Sequence, residues 1–222
     1  MGMTVFVIAM ASEAKTVLDN MEGTCETVAC GKRVVKGRLC GMDTAVVITG
    51  VGKVNAACGA QYAIDVLGAD KIINIGVAGG LNGGMNVGEI YGIEAAVQYD
   101  FDLVQLNGTK MGTLNEFKEP YLPLNALPLY PLKRLGTGDR FNDSQADFRL
   151  LTEELGADIR DMECGAIAQA CAHAGVEIYS FKAISDLAGS GSTTEQYLKN
   201  LALCLEKLTA HISDIFEAVN NG

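Results

Sequence analysis

Three carboxylates hold the positions in this chain from which side chains could carry out acid–base chemistry. Glu13 follows the first predicted strand, Glu163 stands at a predicted helix start, and Asp186 follows the last predicted strand. Taken alone, each fits a helix cap or a first-turn acid that complements the helix dipole. Together they favour one shared site, where carboxyl groups can divide the work of general acid and general base.

Two glycine-rich turns follow predicted strands and could hold a ligand. Residues 50–53 do not form a phosphate-binding loop, because valines stand at positions 47 and 54, where that motif needs a glycine and a hydroxyl residue. A dinucleotide fingerprint also fails, since Asn55 replaces its third small residue. This segment therefore predicts a tight strand-to-helix turn. Residues 76–81 would let a flat ligand approach the backbone, although an ordinary turn fits them equally well.

The elements that must position these groups alternate along the chain. Apolar, β-branched runs predict strands at 4–10, 33–39, 44–49, 71–75, 89–98 and 178–184. Helical periodicity predicts helices at 57–67, from about 163 to 174, and at 198–219, where a coiled coil is disfavoured because the stripe covers only about three heptads. The alternation predicts a three-layer α/β/α fold with a central mixed sheet, formed by one domain over residues 1–222.

One region departs from this alternation. All four prolines lie between residues 120 and 131, which excludes a regular helix or a central strand there. Residues 100–131 therefore predict a long surface excursion, and long loops in compact domains are usually functional.

Composition limits the partners. The chain has 17 basic and 27 acidic residues and a net charge of −10, which argues against nucleic acid and membranes as partners, since both are anionic. Its seven cysteines include no CxxC pair, and with no secretion signal they predict reduced thiols in a cytoplasmic protein. The two histidines do not stand at ligand spacing from the cysteines, so no zinc or other metal site is expected.

Several short motifs, taken together, carry a family resemblance. In chain order they are Ala9-Met10 with Glu13, Gly76-Val77-Ala78-Gly79-Gly80, Met162-Glu163 followed by Gly165-Ala166-Ile167-Ala168, and Ile184-Ser185-Asp186. With these motifs the chain resembles the 5′-methylthioadenosine/S-adenosylhomocysteine nucleosidases of the purine nucleoside phosphorylase-like superfamily. The resemblance covers nearly the whole chain and is weakest at 100–131.

The resemblance implies the roles of the catalytic groups. Such enzymes break the bond between adenine N9 and ribose C1′ through an oxocarbenium-like transition state, with water as nucleophile and no cofactor. Asp186 would protonate adenine N7, which requires burial to raise its pKa. Glu13 would activate the water, and Glu163 would hold the ribose hydroxyls and favour the positive sugar.

The resemblance also implies the substrate-binding residues. Met162 would pack on the ribose, Ser185 would orient Asp186, and Phe141 would stack on the purine. The 5′ pocket would be lined by Met10, Leu103, Leu106 and Tyr197. The family builds part of this pocket from a second chain, so a homodimer with a small nucleoside substrate is expected. The remaining binding positions are Val77, Ala78, Gly79, Asn142 and Lys182.

Three of these positions depart from the family's pattern, and two other functions stay open. Val77 stands where a hydroxyl residue is frequent, Lys182 where arginine is usual, and Asn142 where an aliphatic residue is usual. A phosphorylase would need anion ligands near the first and second glycine turns, and no arginine occurs in residues 1–32. A nucleoside-binding protein without catalysis would not need Glu13 in addition to Asp186.

Overall fold

In the computed structural model, which describes residues 2–221, ten strands form one mixed sheet. Met1 and Gly222, the ends of the predicted domain, lie outside the described residues. The strands are β1 (Met3–Ile8), β2 (Glu22–Ala29), β3 (Lys32–Leu39), β4 (Met42–Ile48), β5 (Ala69–Gly80), β6 (Ile90–Gln98), β7 (Tyr121–Pro123), β8 (Leu132–Thr137), β9 (Ile159–Asp161) and β10 (Glu177–Leu187).

Helices cover both faces of the sheet. Among residues 2–221 they are α1 (Ala11–Leu18), α2 (Lys53–Asp65), α3 (Val104–Asn107), α4 (Gln145–Arg149), a π-helical turn (Leu150–Glu154), α5 (Cys164–Ala174) and α6 (Thr193–Asn221). Helices α2 and α5 pack together on one face, and α1 and α6 pack together on the other. The buried side of α6 carries Leu208, Ile212, Ile215 and Val219 from the predicted apolar stripe. The predicted three-layer α/β/α fold is confirmed.

Strand order explains how the sheet builds a site. The path runs β10-β6-β8-β9-β5-β1-β4-β3-β2, and β10 also pairs with β5, so five strands close into a ring. Strands β1, β4, β5 and β10 run parallel, and their carboxyl ends meet at one edge. In such sheets, ligands bind outside these carboxyl ends.

No helix among the described residues has the length and apolar character needed to span a membrane.

Two predicted strands are longer than the sequence indicates. The apolar run predicted as a strand at 71–75 continues through the glycines to Gly80, so residues 76–80 are strand β5 rather than a turn. Strand β10 likewise extends to Leu187 and contains Asp186. Both extensions arise because β5 and β10 pair along their full length. The excursion at 100–131 holds only α3 and the short edge strand β7.

Candidate active site

One cavity of about 370 Å³ opens at the carboxyl ends of the parallel strands. Eleven of the fifteen sequence-predicted site residues lie around it: Met10, Glu13, Val77, Ala78, Gly79, Phe141, Met162, Glu163, Ser185, Asp186 and Tyr197. The sequence prediction did not include Ala9, Val51, Arg140, Arg160 and Asp161, which also line it. The three carboxylates therefore face a common space.

Glu13 is fixed by two backbone donors. It lies in the first turn of α1 and is buried. Its Oε1 accepts the Val77 N–H at 2.9 Å, and its Oε2 accepts the Met10 N–H at 3.1 Å. A Cβ at Gly76 would lie 2.6 Å from Glu13 Oε1, so the carboxylate needs glycine there. Burial raises the pKa of Glu13, while the Val77 hydrogen bond and the charge of Lys182 act against that rise.

Asp186 presents one oxygen to the cavity. Its Oδ2 accepts the Ser185 hydroxyl at 2.8 Å, whereas its Oδ1 is buried and accepts no hydrogen bond from residues 2–221. A Cβ at Gly79 would lie 2.8 Å from Oδ1, so glycine there keeps this oxygen clear. Burial raises the pKa of Asp186 against the opposing effects of Ser185 and Arg160. The carboxyl group is thus biased toward its protonated form.

Glu163 joins the first glycine turn to the site. It immediately precedes α5, and its Oε1 accepts the Gly52 N–H at 2.9 Å. Gly52 has φ +99°, a conformation that favours glycine. The turn at 50–53 is tight, as predicted, and it also holds a site carboxylate. Burial, with the nearby charge of Asp161, raises the pKa of Glu163 to about 7.

Lys182 lies behind the carboxylates rather than in the cavity. Its Nζ pairs with Asp161 Oδ2 at 2.9 Å, and both side chains are almost fully buried. Asp161 also accepts the Thr137 hydroxyl at 2.6 Å and the Cys164 N–H at 3.0 Å. Lys182 therefore does not line the cavity, and its predicted contact with substrate stays a prediction. Its positive charge opposes the rise that burial causes in the pKa values of Glu13 and Glu163.

Two aromatic rings border the open side of the cavity. Phe141 and Tyr197 meet edge to face, with ring centroids 5.7 Å apart and planes at 72°. The Tyr197 hydroxyl lies 3.5 Å from Met10 Sδ. Phe141 is 51% exposed, which leaves its ring free to cover a ligand.

Three more predicted residues lie outside the cavity. Asn142 turns away: its Nδ2 donates to Asp147 Oδ2 at 3.0 Å, and its Oδ1 accepts the Ser144 N–H at 3.1 Å. Leu103 and Leu106 belong to the 100–131 excursion, where Leu106 is 80% exposed. Within one chain they do not line the pocket to which the sequence assigned them.

The cavity carries no cluster typical of a metal centre. Among residues 2–221, no group of three or more His, Cys, Asp or Glu side chains is placed to hold a metal ion. These groups can protonate a ligand atom at Asp186, accept a proton at Glu13 and place negative charge in the same cavity at Glu163.

The fold and the three-carboxylate cavity match a known class of proteins. The family model of the phosphorylase superfamily matches residues 4–217. A 5′-methylthioadenosine/S-adenosylhomocysteine nucleosidase of Geobacillus kaustophilus is 35% identical over 212 residues, covering 87% of this chain and 89% of the relative. The chain belongs to the phosphorylase superfamily and, within it, to the 5′-methylthioadenosine/S-adenosylhomocysteine nucleosidase family.

Solved structures agree on the fold. The Helicobacter pylori nucleosidase with butyl-thio-DADMe-Immucillin-A superposes with a TM-score of 0.89 at 20% identity, covering 98% of both chains. The futalosine hydrolase of Helicobacter pylori gives 0.88 at 20% identity, covering 98% of this chain and 99% of that one. At this identity the two matches establish the architecture, and the choice of substrate has to be argued from the cavity.

Proposed function

We propose that this protein hydrolyses the N-glycosidic bond of 5′-thio-substituted adenine nucleosides, namely methylthioadenosine and S-adenosylhomocysteine, and releases adenine. Relatives at 31–35% identity carry the name of that activity, so the enzyme class is an N-glycosidic hydrolase. The observation that carries the proposal is the convergence of Glu13, Glu163 and Asp186 on one cavity, where Asp186 Oδ1 accepts no hydrogen bond from residues 2–221.

Asp186 is the proposed acid. Cleavage leaves an electron pair on the base, and a proton on adenine N7 neutralises it. A carboxylic acid can give that proton near neutral pH only when its pKa is raised, and burial does so here. Ser185 holds Oδ2, so Oδ1 faces the base in a single orientation.

Glu13 and Glu163 act at the sugar. The Val77 and Met10 N–H groups fix the two oxygens of Glu13, and each oxygen keeps a second lone pair that can accept a proton from water. As water adds to C1′, the N9–C1′ bond breaks and the proton of the water passes to Glu13. We assign Glu163, which is held by Gly52, to the ribose hydroxyls, where its charge would stabilise the positive sugar.

Apolar lining favours a thioether at the 5′ end. Met10 and Tyr197 adjoin there, and neither offers a charge that would hold a phosphate. Of the two arginines that line the cavity, Arg140 pairs with Asp147 at 2.8 Å, and Arg160 donates to Thr193 at 3.1 Å. Neither belongs to the segments around Glu13 and Val77, where a phosphorylase would hold its phosphate, so hydrolysis remains the favoured reaction.

Measuring adenine release from methylthioadenosine in phosphate-free buffer tests the proposal. We expect turnover without phosphate, and the same rate after millimolar phosphate is added. Turnover that depends on phosphate would identify a phosphorylase, and tight binding without any release would identify a binding protein. S-adenosylhomocysteine, assayed in parallel, tests whether the 5′ pocket admits the longer substituent.

We further propose that the protein is a homodimer whose 5′ pocket is completed by the partner. Val104 and Leu106 are 44% and 80% exposed, and burying such apolar surface is what an interface would do. The change Leu106→Glu should shift sedimentation from dimer to monomer and raise KM for methylthioadenosine. A wild-type protein that sediments only as monomer at micromolar concentration would refute this proposal.

We also propose that the protein is one domain, is cytoplasmic and takes part in methionine salvage. A single sheet runs through the chain, which supports one domain. All seven cysteines are free thiols, which supports a reducing compartment.

A further inference from the structure

An arginine lies beside the proposed acid, in a cavity otherwise lined largely by apolar groups and carboxylates. Arg160 pairs with Gly79 across β9 and β5, and its side chain is only 11% exposed. Its Nη2 donates to Thr193 Oγ1 at 3.1 Å and lies 4.0 Å from Asp186 Oδ1. The mechanism proposed above gives this buried charge no role.

The neighbours of Arg160 place its guanidinium at the base end of the cavity. Thr193 accepts the hydrogen bond from Arg160, and its hydroxyl donates a hydrogen bond to Asp143. Asp143 follows Phe141 by two residues, and Phe141 is the ring proposed to cover the purine. Glu13, proposed to act at the sugar, is instead held by Val77 and Met10. These contacts connect Arg160 to the segment that carries Phe141, which we assign to the base end of the cavity.

The chemistry of a purine then identifies what Arg160 would meet. When N7 faces Asp186, the substituent on C6 is the next polar group along the same edge, on the side away from the sugar. A guanidinium offers only donors and stays charged at any pH the protein tolerates. It can donate to a carbonyl oxygen at C6, whereas a 6-amino group also donates and gives it no acceptor.

We infer that the site also hydrolyses 6-oxopurine nucleosides with a 5′-thio substituent, with Arg160 donating to the C6 oxygen. This inference rests on the proposed function, because it uses the same placement of N7 and sugar. The reaction keeps its balance: water adds to C1′, the N9–C1′ bond breaks, the base takes the electron pair and a proton from Asp186, and the water proton goes to Glu13. The products are hypoxanthine and the 5-thio-substituted ribose.

The test compares 5′-methylthioinosine with methylthioadenosine in phosphate-free buffer. We expect wild-type kcat/KM for the inosine compound to lie within roughly a hundredfold of that for the adenosine compound. In Arg160→Met, the inosine-to-adenosine ratio should fall by roughly tenfold to a hundredfold, the usual loss for a hydrogen bond to a charged group. Arg160→Lys keeps the charge but loses the forked guanidinium, so its inosine-to-adenosine ratio should lie between those of wild type and Arg160→Met. Arg149→Met, an exposed arginine on α4 outside the cavity, is the matched control and should keep the wild-type ratio.

Two results would overturn the inference. One is a wild-type kcat/KM for 5′-methylthioinosine that lies more than roughly a hundredfold below that for methylthioadenosine. The other is an Arg160→Met variant that loses both activities by the same factor, as expected if the arginine only pairs with Asp186. Competition by the free bases separates this failure from failure of the proposed function. Hypoxanthine and adenine should both inhibit the wild type, and Arg160→Met should weaken hypoxanthine more. If methylthioadenosine is not hydrolysed at all, the proposed function fails, and direct binding of the two bases still tests Arg160.

Discussion

Glu163→Gln should make the protein more stable at pH 8 while it removes most of the activity. The carboxylate is buried, and burial together with the charge of Asp161 raises its pKa to about 7. In the unfolded chain the same group titrates near 4.5. Because the pKa is higher in the folded state, the group favours folding when it is protonated. That contribution is complete below pH 4.5 and is lost as the pH rises through 7.

The magnitude follows from the two pKa values. Each unit of difference corresponds to about 1.4 kcal/mol, so ionising Glu163 should cost the folded state about 3 kcal/mol by pH 8. Glutamine avoids this cost, and its amide oxygen can still accept the Gly52 N–H that Glu163 Oε1 accepts at 2.9 Å. We therefore expect the variant to gain up to about 3 kcal/mol over wild type at pH 8 and little at pH 5.

Urea unfolding of both proteins at pH 5 and pH 8 measures this difference. The difference between variant and wild type cancels the titration of most other groups, although Glu13, whose charge raises the pKa of Glu163, shares part of the effect. Glu206→Gln, which changes an exposed carboxylate on α6, is the control and should show no comparable gain. If Glu163→Gln is less stable than wild type at pH 8, or if its advantage does not grow with pH, the electrostatic account of the site is wrong.

Three further perturbations test the other groups. Asp186→Asn should lower kcat for methylthioadenosine by roughly 10²- to 10⁴-fold with an unchanged circular dichroism spectrum, because an amide cannot supply the proton; near-normal turnover would place the acid elsewhere. Glu13→Gln should lower kcat by a comparable factor, because an amide cannot accept the proton of the water. In the wild type, kcat/KM should fall in acid with an apparent pKa above 4.5, the ordinary value for this carboxylate, since burial raises the pKa of Glu13. An apparent pKa at or below 4.5 would contradict this. Phe141→Ala should raise KM by roughly threefold to tenfold with little change in kcat, the value of one aromatic contact, and an unchanged KM would show that the ring does not cover the base.

Elements with their own apolar pattern could be predicted from the sequence. The apolar stripe of α6 marks the side of the helix that is buried, and the continuous apolar runs of β1 and β10 mark strands that are buried over most of their length. Strand β2 carries no such pattern, since nearly every residue in it is exposed. It is held by pairing with β3 through a turn at Cys30 and Gly31, both with positive φ, and such pairing leaves little trace in local sequence.

The site was predictable where residue order alone carried the signal. Glu13, Glu163 and Asp186 stand in family motifs, and all three line one cavity. Arg160 stands two residues before the Met162-Glu163 motif, but nothing in the sequence around it shows that its side chain lies near Asp186. Lys182 was misplaced because alternation along β10 does not distinguish the cavity from the buried ion pair behind it.

The identity of the sugar product tests the central claim most directly. The protein is incubated with methylthioadenosine in the presence of millimolar phosphate, and the products are analysed by mass spectrometry. If Glu13 activates water at C1′, the products are adenine and free methylthioribose, with no phosphorylated sugar. Methylthioribose 1-phosphate as the main product would show that phosphate is the nucleophile and would contradict this account of the site.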